Sequence, residues 1–174
     1  MAIGLINNTI LKPSCSSSSS DEQSVILVPL TIFDKATFDL HVAVLYTFKP
    51  PMPSNEVMKE ALSKVFDHYP HLAGRFTTDN QGRTCILLNN AGIRVTETYV
   101  PTTMTEQLPF DPSKDVSHLL PPTEGVVELF QVQLNRYACT VDLLSVIRLI
   151  TVSPMANPRA LSLLRGLGLY VGST

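Results

Sequence analysis

The sequence has no excess of basic residues, no apolar run of membrane-spanning length and no basic stretch ahead of its opening MAIGLI. The first absence removes the electrostatic footprint of a nucleic-acid binder. The other two predict neither a membrane span nor a secretory leader. Cysteine is scarce: Cys15, Cys85 and Cys139 are odd in number and scattered. They read as free thiols of a reducing cytosol rather than a disulfide framework or metal site, so a cytoplasmic location is expected. Charge is sparse as well, 16% of 174 residues with a formal net charge of -2, against 44% hydrophobic residues. That balance suits an ordinary globular chain with room for one domain.

Catalytic constellations are missing too. The histidines are His41, His68, His71 and His118. His68 and His71 stand three apart, but Pro70 breaks the helix that would align them on a metal. His68 is instead favourably placed near a helix C-terminus. Asp34, in TIFDKATF, reads as a loop-capping carboxylate, with a site-lining role as the alternative. Arg75 and Asp79 can form a structural pair. Gly166, Gly168 and Gly172 do not follow a strand in a phosphate-loop spacing. The residues therefore assign no catalytic, cofactor-binding or metal-ligating position.

What is present begins with Ser54 to Phe76. Ser54 is a good N-cap, and Glu56 in the first turn suits the helix dipole. Val57, Met58, Leu62, Val65, Phe66 and Tyr69 form one broad apolar stripe, with Lys59, Glu60, Lys64 and Asp67 on the other side. Pro70 ends the helix. Burying each large apolar side chain is worth roughly 1.5–3 kcal/mol, so the helix is expected in the core.

Strands are expected around it. Gly4 to Pro13 is a short one, followed by a Ser-rich link at 14–23 that should be flexible and by a short apolar run, Ser24 to Leu30. His41 to Lys49 is apolar on both faces, which places it inside a covered sheet. Leu72 to Thr78, Cys85 to Leu88 and Ile93 to Val100 follow, with turns at Asp79 to Gly82 and Asn89 to Gly92. Pro101 to Pro122 is irregular and rich in proline. In Val126 to Cys139, Phe130, Val132 and Leu134 alternate with Gln131, Gln133 and Asn135, the period of a half-buried strand.

The words LSKVFDHYPHLAGRF and GRTCILLNNAGIRVTET closely resemble the N-terminal part of plant BAHD acyltransferases, with a hydroxycinnamoyltransferase flavour. The likeness covers about four-fifths of the chain. It implies an α/β fold: part of the N-terminal domain of a two-domain, chloramphenicol acetyltransferase-like architecture with its active site in a tunnel between the domains. It implies acyl-CoA as co-substrate, no covalently bound cofactor, a small alcohol or amine acceptor, no nucleic-acid or membrane partner, and a monomeric state. In that family the strand after NRYAC leads through a glycine pair to HHxxxDG. The motif's histidine takes a proton from the acceptor, which then attacks the thioester. Its aspartate holds local structure, and a DFGWG motif comes much later. Neither motif occurs here.

Thr140 to Thr174 changes character, with one acid, Asp142, and no lysine. If codons are started at the third base of the preceding one, Ile150 to Pro158 can spell HRVADGQS. The Met155–Ala156 step allows only GGC, a glycine codon. From Thr140 the shifted frame can spell GGLVIG, one free position, then TAH. The resemblance thus continues in another frame, as if the gene's frame slips near Cys139. Misannotated splicing, a sequencing error or a divergent C-terminus are the alternatives. Residues 1–139 are accordingly expected to be an incomplete acyltransferase domain, and 140–174 an off-frame, poorly structured tail. Its apolar run, Leu143 to Ile150, could pair as a makeshift strand or only add stickiness. Without a partner strand, Val126 to Cys139 would show a bare edge.

Overall fold

The computed structural model describes residues 3–17, 26–32, 39–48, 51–107, 116–138 and 143–152. Among them, eight strands form two sheets. In chain order these are β1 (Gly4–Leu11), β2 (Ile26–Pro29), β3 (Asp39–Phe48), helix α1 (Asn55–His68), β4 (Arg75–Thr78), β5 (Thr84–Leu88), β6 (Ile93–Val100), a short helix α2 (Met104–Gln107), β7 (Phe130–Tyr137) and β8 (Leu143–Val152). The larger sheet has the order β1-β6-β7-β8-β3, and the smaller one β2-β5-β4. All neighbours are antiparallel except β6 and β7. A parallel pair needs a long crossover. The proline-rich segment after β6 supplies it.

The expected helix boundaries hold. Val57 N donates to Ser54 Oγ at 3.4 Å, and a 3-10 turn, Pro70–Ala73, starts at the stop proline. The stripe differs in detail. Phe66 is 1% exposed and meets Phe130 edge to face at 5.7 Å, while Val57 is 55% exposed. Nine residues at about 100° each carry Val57 to about 180° from Phe66 on the helical wheel. By the same geometry Lys59, seven residues before Phe66, lies on the buried face rather than the outer one. The core on this side of the sheet joins Phe66 to Tyr46, Ile93, Val95, Phe130, Val132 and Leu134.

Both predicted turns form. Asp79 Oδ1 accepts from Gln81 N and Arg83 N, both at 2.9 Å, and Gly82 takes φ 72°. Gly92 takes φ 89°, and a Cβ there would fall 2.6 Å from Leu11 O, so glycine serves both conformation and close approach.

Several expectations are corrected. Arg75 does not pair with Asp79. Its Nη1 donates to Gly74 O at 2.8 Å and Gly92 O at 2.7 Å, while Asp79 binds Arg83 Nε at 2.8 Å. Strand direction carries Arg75 away, and the hairpin brings Arg83 back. Part of the link at 14–23 is structured: Ser14–Ser17 is a 3-10 turn, with Ser14 Oγ and Cys15 N (3.0 Å) bonded to Asp67. Residues 18–25 lie outside the described residues. β3 is covered on both faces, by Tyr46 and Leu45 in separate clusters, but it stands at the end of the described sheet rather than inside it. The apolar run of the tail forms β8, which pairs with β7 from Phe130↔Leu149 to Arg136↔Leu143 and with β3 along its whole length. The edge of β7 is therefore covered, and 143–152 is a strand. Residues 153–174 lie outside the described residues.

β7 is also not half-buried. Gln131, Gln133 and Asn135 are as deeply covered as the apolar residues between them. The crossover lies over their face, and proline at 121 and 122 leaves it short of backbone donors and unable to pair as a strand. The strand's amides serve its carbonyls instead. Gln131 Nε2 donates to Pro122 O at 3.0 Å, Gln133 Nε2 to His118 O at 3.4 Å, and Asn135 Nδ2 to Leu119 O at 3.1 Å. Asn135 Oδ1 accepts from Thr98 Oγ1 at 2.6 Å and from Gln133 Nε2 at 2.8 Å. Substituting Asn135 removes three buried hydrogen bonds at once and leaves Leu119 O without its donor. At about 1 kcal/mol or more for each, Asn135→Leu is expected to lower unfolding free energy by about 3 kcal/mol. Urea denaturation of the two proteins measures this, and a loss below about 1 kcal/mol would show that the amides carry no such role.

Candidate functional site

Sheet topology fixes one end of β8 as the place to inspect. β8 runs against both neighbours, so its last residues lie beside the first residues of β7 and β3. Its register passes Phe130 at Leu149 and goes on to oppose His41 with Ile150, Leu40 with Thr151 and Asp39 with Val152. The strand end thus projects past β7 along β3. In the shifted reading, the codons for Ile150 and Thr151 can spell the histidine of HxxxD. That end of β8 is where the resemblance would put a general base. Isoleucine and threonine occupy those positions here. Neither side chain takes a proton from an alcohol or amine near neutral pH.

Of the four histidines only His41 stands at that end of β8, and by register alone. His68 is exposed in the last turn of α1, and His71 sits in the 3-10 turn against Tyr69, ring centroids 6.2 Å apart. Burial pulls the His71 imidazole below its ordinary value. His118 lies in the crossover. His41 holds the register position opposite Ile150. Asp34 and Cys139 lie outside the described residues. Cys85 is buried and Cys15 exposed. Burial pushes the Tyr137 hydroxyl up to about 12, so it stays protonated. No group of histidine, cysteine, aspartate and glutamate able to hold a metal occurs among the described residues. Nor is any described helix long and apolar enough to cross a membrane.

Two buried carboxylates occur among the described residues, and neither is poised as a base. Glu97 of β6 accepts from Lys59 Nζ at 2.8 Å and Asn55 Nδ2 at 2.6 Å. Asn55 Oδ1 in turn accepts from Arg136 Nε at 2.8 Å. The first turns of α1 are thereby tied to the C-terminal ends of β6 and β7. Glu128, just before β7, takes Arg94 Nη2 at 2.9 and 3.2 Å. Burial alone would raise both carboxyls. The hydrogen bonds from Lys59 and Asn55, and from Arg94, outweigh it and hold both below the ordinary glutamate value. A carboxylate held ionised by a bonded cation is a weak proton acceptor, so these are anchors. Sequence reading passed over them. The spacing of Asn55, Lys59, Leu62 and Phe66 along one helix face is the signal that locates the first.

Linkage gives the consequence. Glu97 has a lowered value when folded, so its stabilising contribution is complete above the unfolded value near about 4.3. It is lost as pH falls through the folded value. Glu97→Gln should be less stable than the parent at neutral pH, and the gap should close as both are acidified towards about pH 3. Urea melts across that range test it. Curves that stay parallel would show that Glu97 is not the titrating anchor.

Comparison with known proteins places this geometry. The family model described as Transferase, the Transferase family, matches residues 1–146. Agmatine hydroxycinnamoyltransferase 1 of Oryza sativa subsp. japonica is 34% identical over 142 residues, covering 80% of this chain and 32% of the relative. The chain thus spans about a third of the length of the curated relatives it matches. Among solved structures, vinorine synthase superposes with a TM-score of 0.63 at 17% identity, over 85% of this chain and 38% of that one. A second, F. sporotrichioides TRI101 complexed with Coenzyme A and T-2, gives 0.53 at 14% identity, over 86% and 42%. At these identities the two structures establish the fold: a mixed α/β chain matching part of a chloramphenicol acetyltransferase-like architecture.

Proposed function

This chain belongs to the Transferase family, the BAHD acyltransferases, and from that premise we propose a function in two parts. The intact gene product moves a hydroxycinnamoyl-like acyl group from acyl-CoA to an amine or alcohol acceptor. The polypeptide as it stands, without HxxxD, is inactive. The observation that carries this reading is positional. The shifted frame can spell HxxxD beginning at the C-terminal end of β8, where a strand leads out between β7 and β3. The name of the agmatine relative supports an amine acceptor, and the Coenzyme A of the second solved structure supports a CoA thioester donor.

On this reading the chain's own residues supply a frame and no proton transfer. Glu97, Lys59 and Asn55 fix α1 on the sheet, and the β7 amides fix the crossover. The acceptor's proton has no recipient at Ile150 or Thr151, so the attack on the thioester goes unassisted. A second reading, a non-enzymatic pseudogene product or a fragment that binds an intact relative, draws support from β8. Its pairing on both edges lets the described sheet close without the motif.

Sequencing the transcript across the codons for Tyr137 to Pro158 separates the two. An uninterrupted shifted frame carrying HHRVADGQS supports the enzyme reading, and the present frame confirmed supports the second. For the polypeptide itself, no acyl transfer above the buffer blank is expected with hydroxycinnamoyl-CoA and agmatine. Loss of the base alone costs about 10²–10⁴ in rate. Heat-labile transfer by the purified 174-residue chain would overturn the inactivity.

A further inference from the structure

Four polar atoms on the crossover side of the larger sheet are buried without a hydrogen-bond partner among the described residues: Arg94 Nε, Thr96 Oγ1, Gln131 Oε1 and His118 Nε2. Three of them are neighbours by register. Arg94 stands opposite Gln131 across the parallel β6–β7 pair, and Thr96 is two residues further along the same face. Gln131 is 0% and Thr96 7% exposed, so bulk solvent does not serve them. His118 belongs to the segment laid over this face, where its carbonyl takes Gln133 Nε2.

Two of these atoms, Gln131 Oε1 and Arg94 Nε, do not escape by rearrangement of their own side chains. Gln131 Nε2 is committed to Pro122 O at 3.0 Å. Turning the amide over would set two carbonyl oxygens against each other. Arg94 is held by its bonds to Glu128. Buried polar atoms are served by protein or by ordered water in all but a few cases, and several orphans in one place point to a shared guest.

We propose that the orphaned polar atoms of Arg94, Thr96 and Gln131 together hold an internal water molecule between the sheet and the crossover. The polarity of the orphaned atoms sets the chemical class. Arg94 Nε offers only a proton, Gln131 Oε1 only lone pairs, and the Thr96 hydroxyl either. An anion would suit Arg94 and repel Gln131 Oε1. A cation would do the reverse. A neutral guest that both donates and accepts suits all three, and water is such a guest where Thr96 and Gln131 are closed to bulk solvent. About three such bonds is the usual complement of a buried water. The site is independent of the acyl-transfer reading, since none of its residues lies at the end of β8.

The test uses the isotope-labelled 174-residue chain and water-selective rotating-frame NMR. Cross-peaks from long-lived water to the Thr96 methyl group and the Gln131 side-chain amide are expected, and their absence would overturn the proposal. Thr96→Val keeps the shape and removes the hydroxyl. With water bound it takes away one partner, and Tm should fall by about 2–4 °C. In a dry site the same change removes an orphaned hydroxyl, so a Tm equal to or above the parent also overturns the proposal. If the variant does not fold, the cross-peaks of the parent chain decide the matter.

Discussion

The structure depends most on how β7 is buried. One face carries Phe130, Val132 and Leu134 against Phe66 of α1. The other carries Gln131, Gln133 and Asn135 against a crossover that has no ladder of its own. A parallel β6–β7 pair obliges the chain to cross the sheet, and a proline-rich crossover cannot satisfy its carbonyls internally. Side-chain amides are the donors that a strand can offer perpendicular to its plane. Three of them at alternate positions match three carbonyls at 118, 119 and 122. An apolar face would bury the same area and leave those carbonyls unmade, which is the costlier choice.

The two ends of the helix face are held by different physics. Near its C-terminus α1 packs apolar against apolar, with Phe66 on Phe130. Near its N-terminus it is tied by Lys59, Asn55 and Glu97, and through Asn55 to Arg136. Dispersion and burial are non-directional, whereas a buried carboxylate accepting from two named donors tolerates little rotation. The helix is thus seated by its apolar end and oriented by its polar one.

Much of this was legible in the sequence, because the signals are local. Ser54 and Pro70 bound a helix by backbone chemistry alone. Asp79 to Gly82 and Asn89 to Gly92 are turns wherever they occur, and β6 shows itself by composition. The faces were harder. A period of two separates Phe130, Val132 and Leu134 from Gln131, Gln133 and Asn135, but it is identical whether the amides meet water or buried carbonyls. Lys59 was read as an outer residue because charge was weighed above the helical angle. The partner of Arg75 and the end position of β3 depend on strand neighbours distant in sequence, which periodicity does not encode. The end of β8 was legible only through the resemblance and its codons, since nothing in its side chains marks a reacting site.

A strand's place in a sheet and a site's chemistry are specified by different atoms, and this chain separates them. The backbone N–H and C=O groups of Leu143–Val152 pair with β7 and β3 whatever side chains they carry, provided these are compatible with burial. An apolar run of the right length between two waiting edges meets that condition, and Leu143 to Ile150 is such a run. Proton transfer has no such tolerance, because it needs one imidazole at one position. A change of reading frame that leaves the run apolar would therefore keep the strand and erase the base. On the proposed reading, that is why an acyltransferase sheet closes around a strand that carries none of its chemistry.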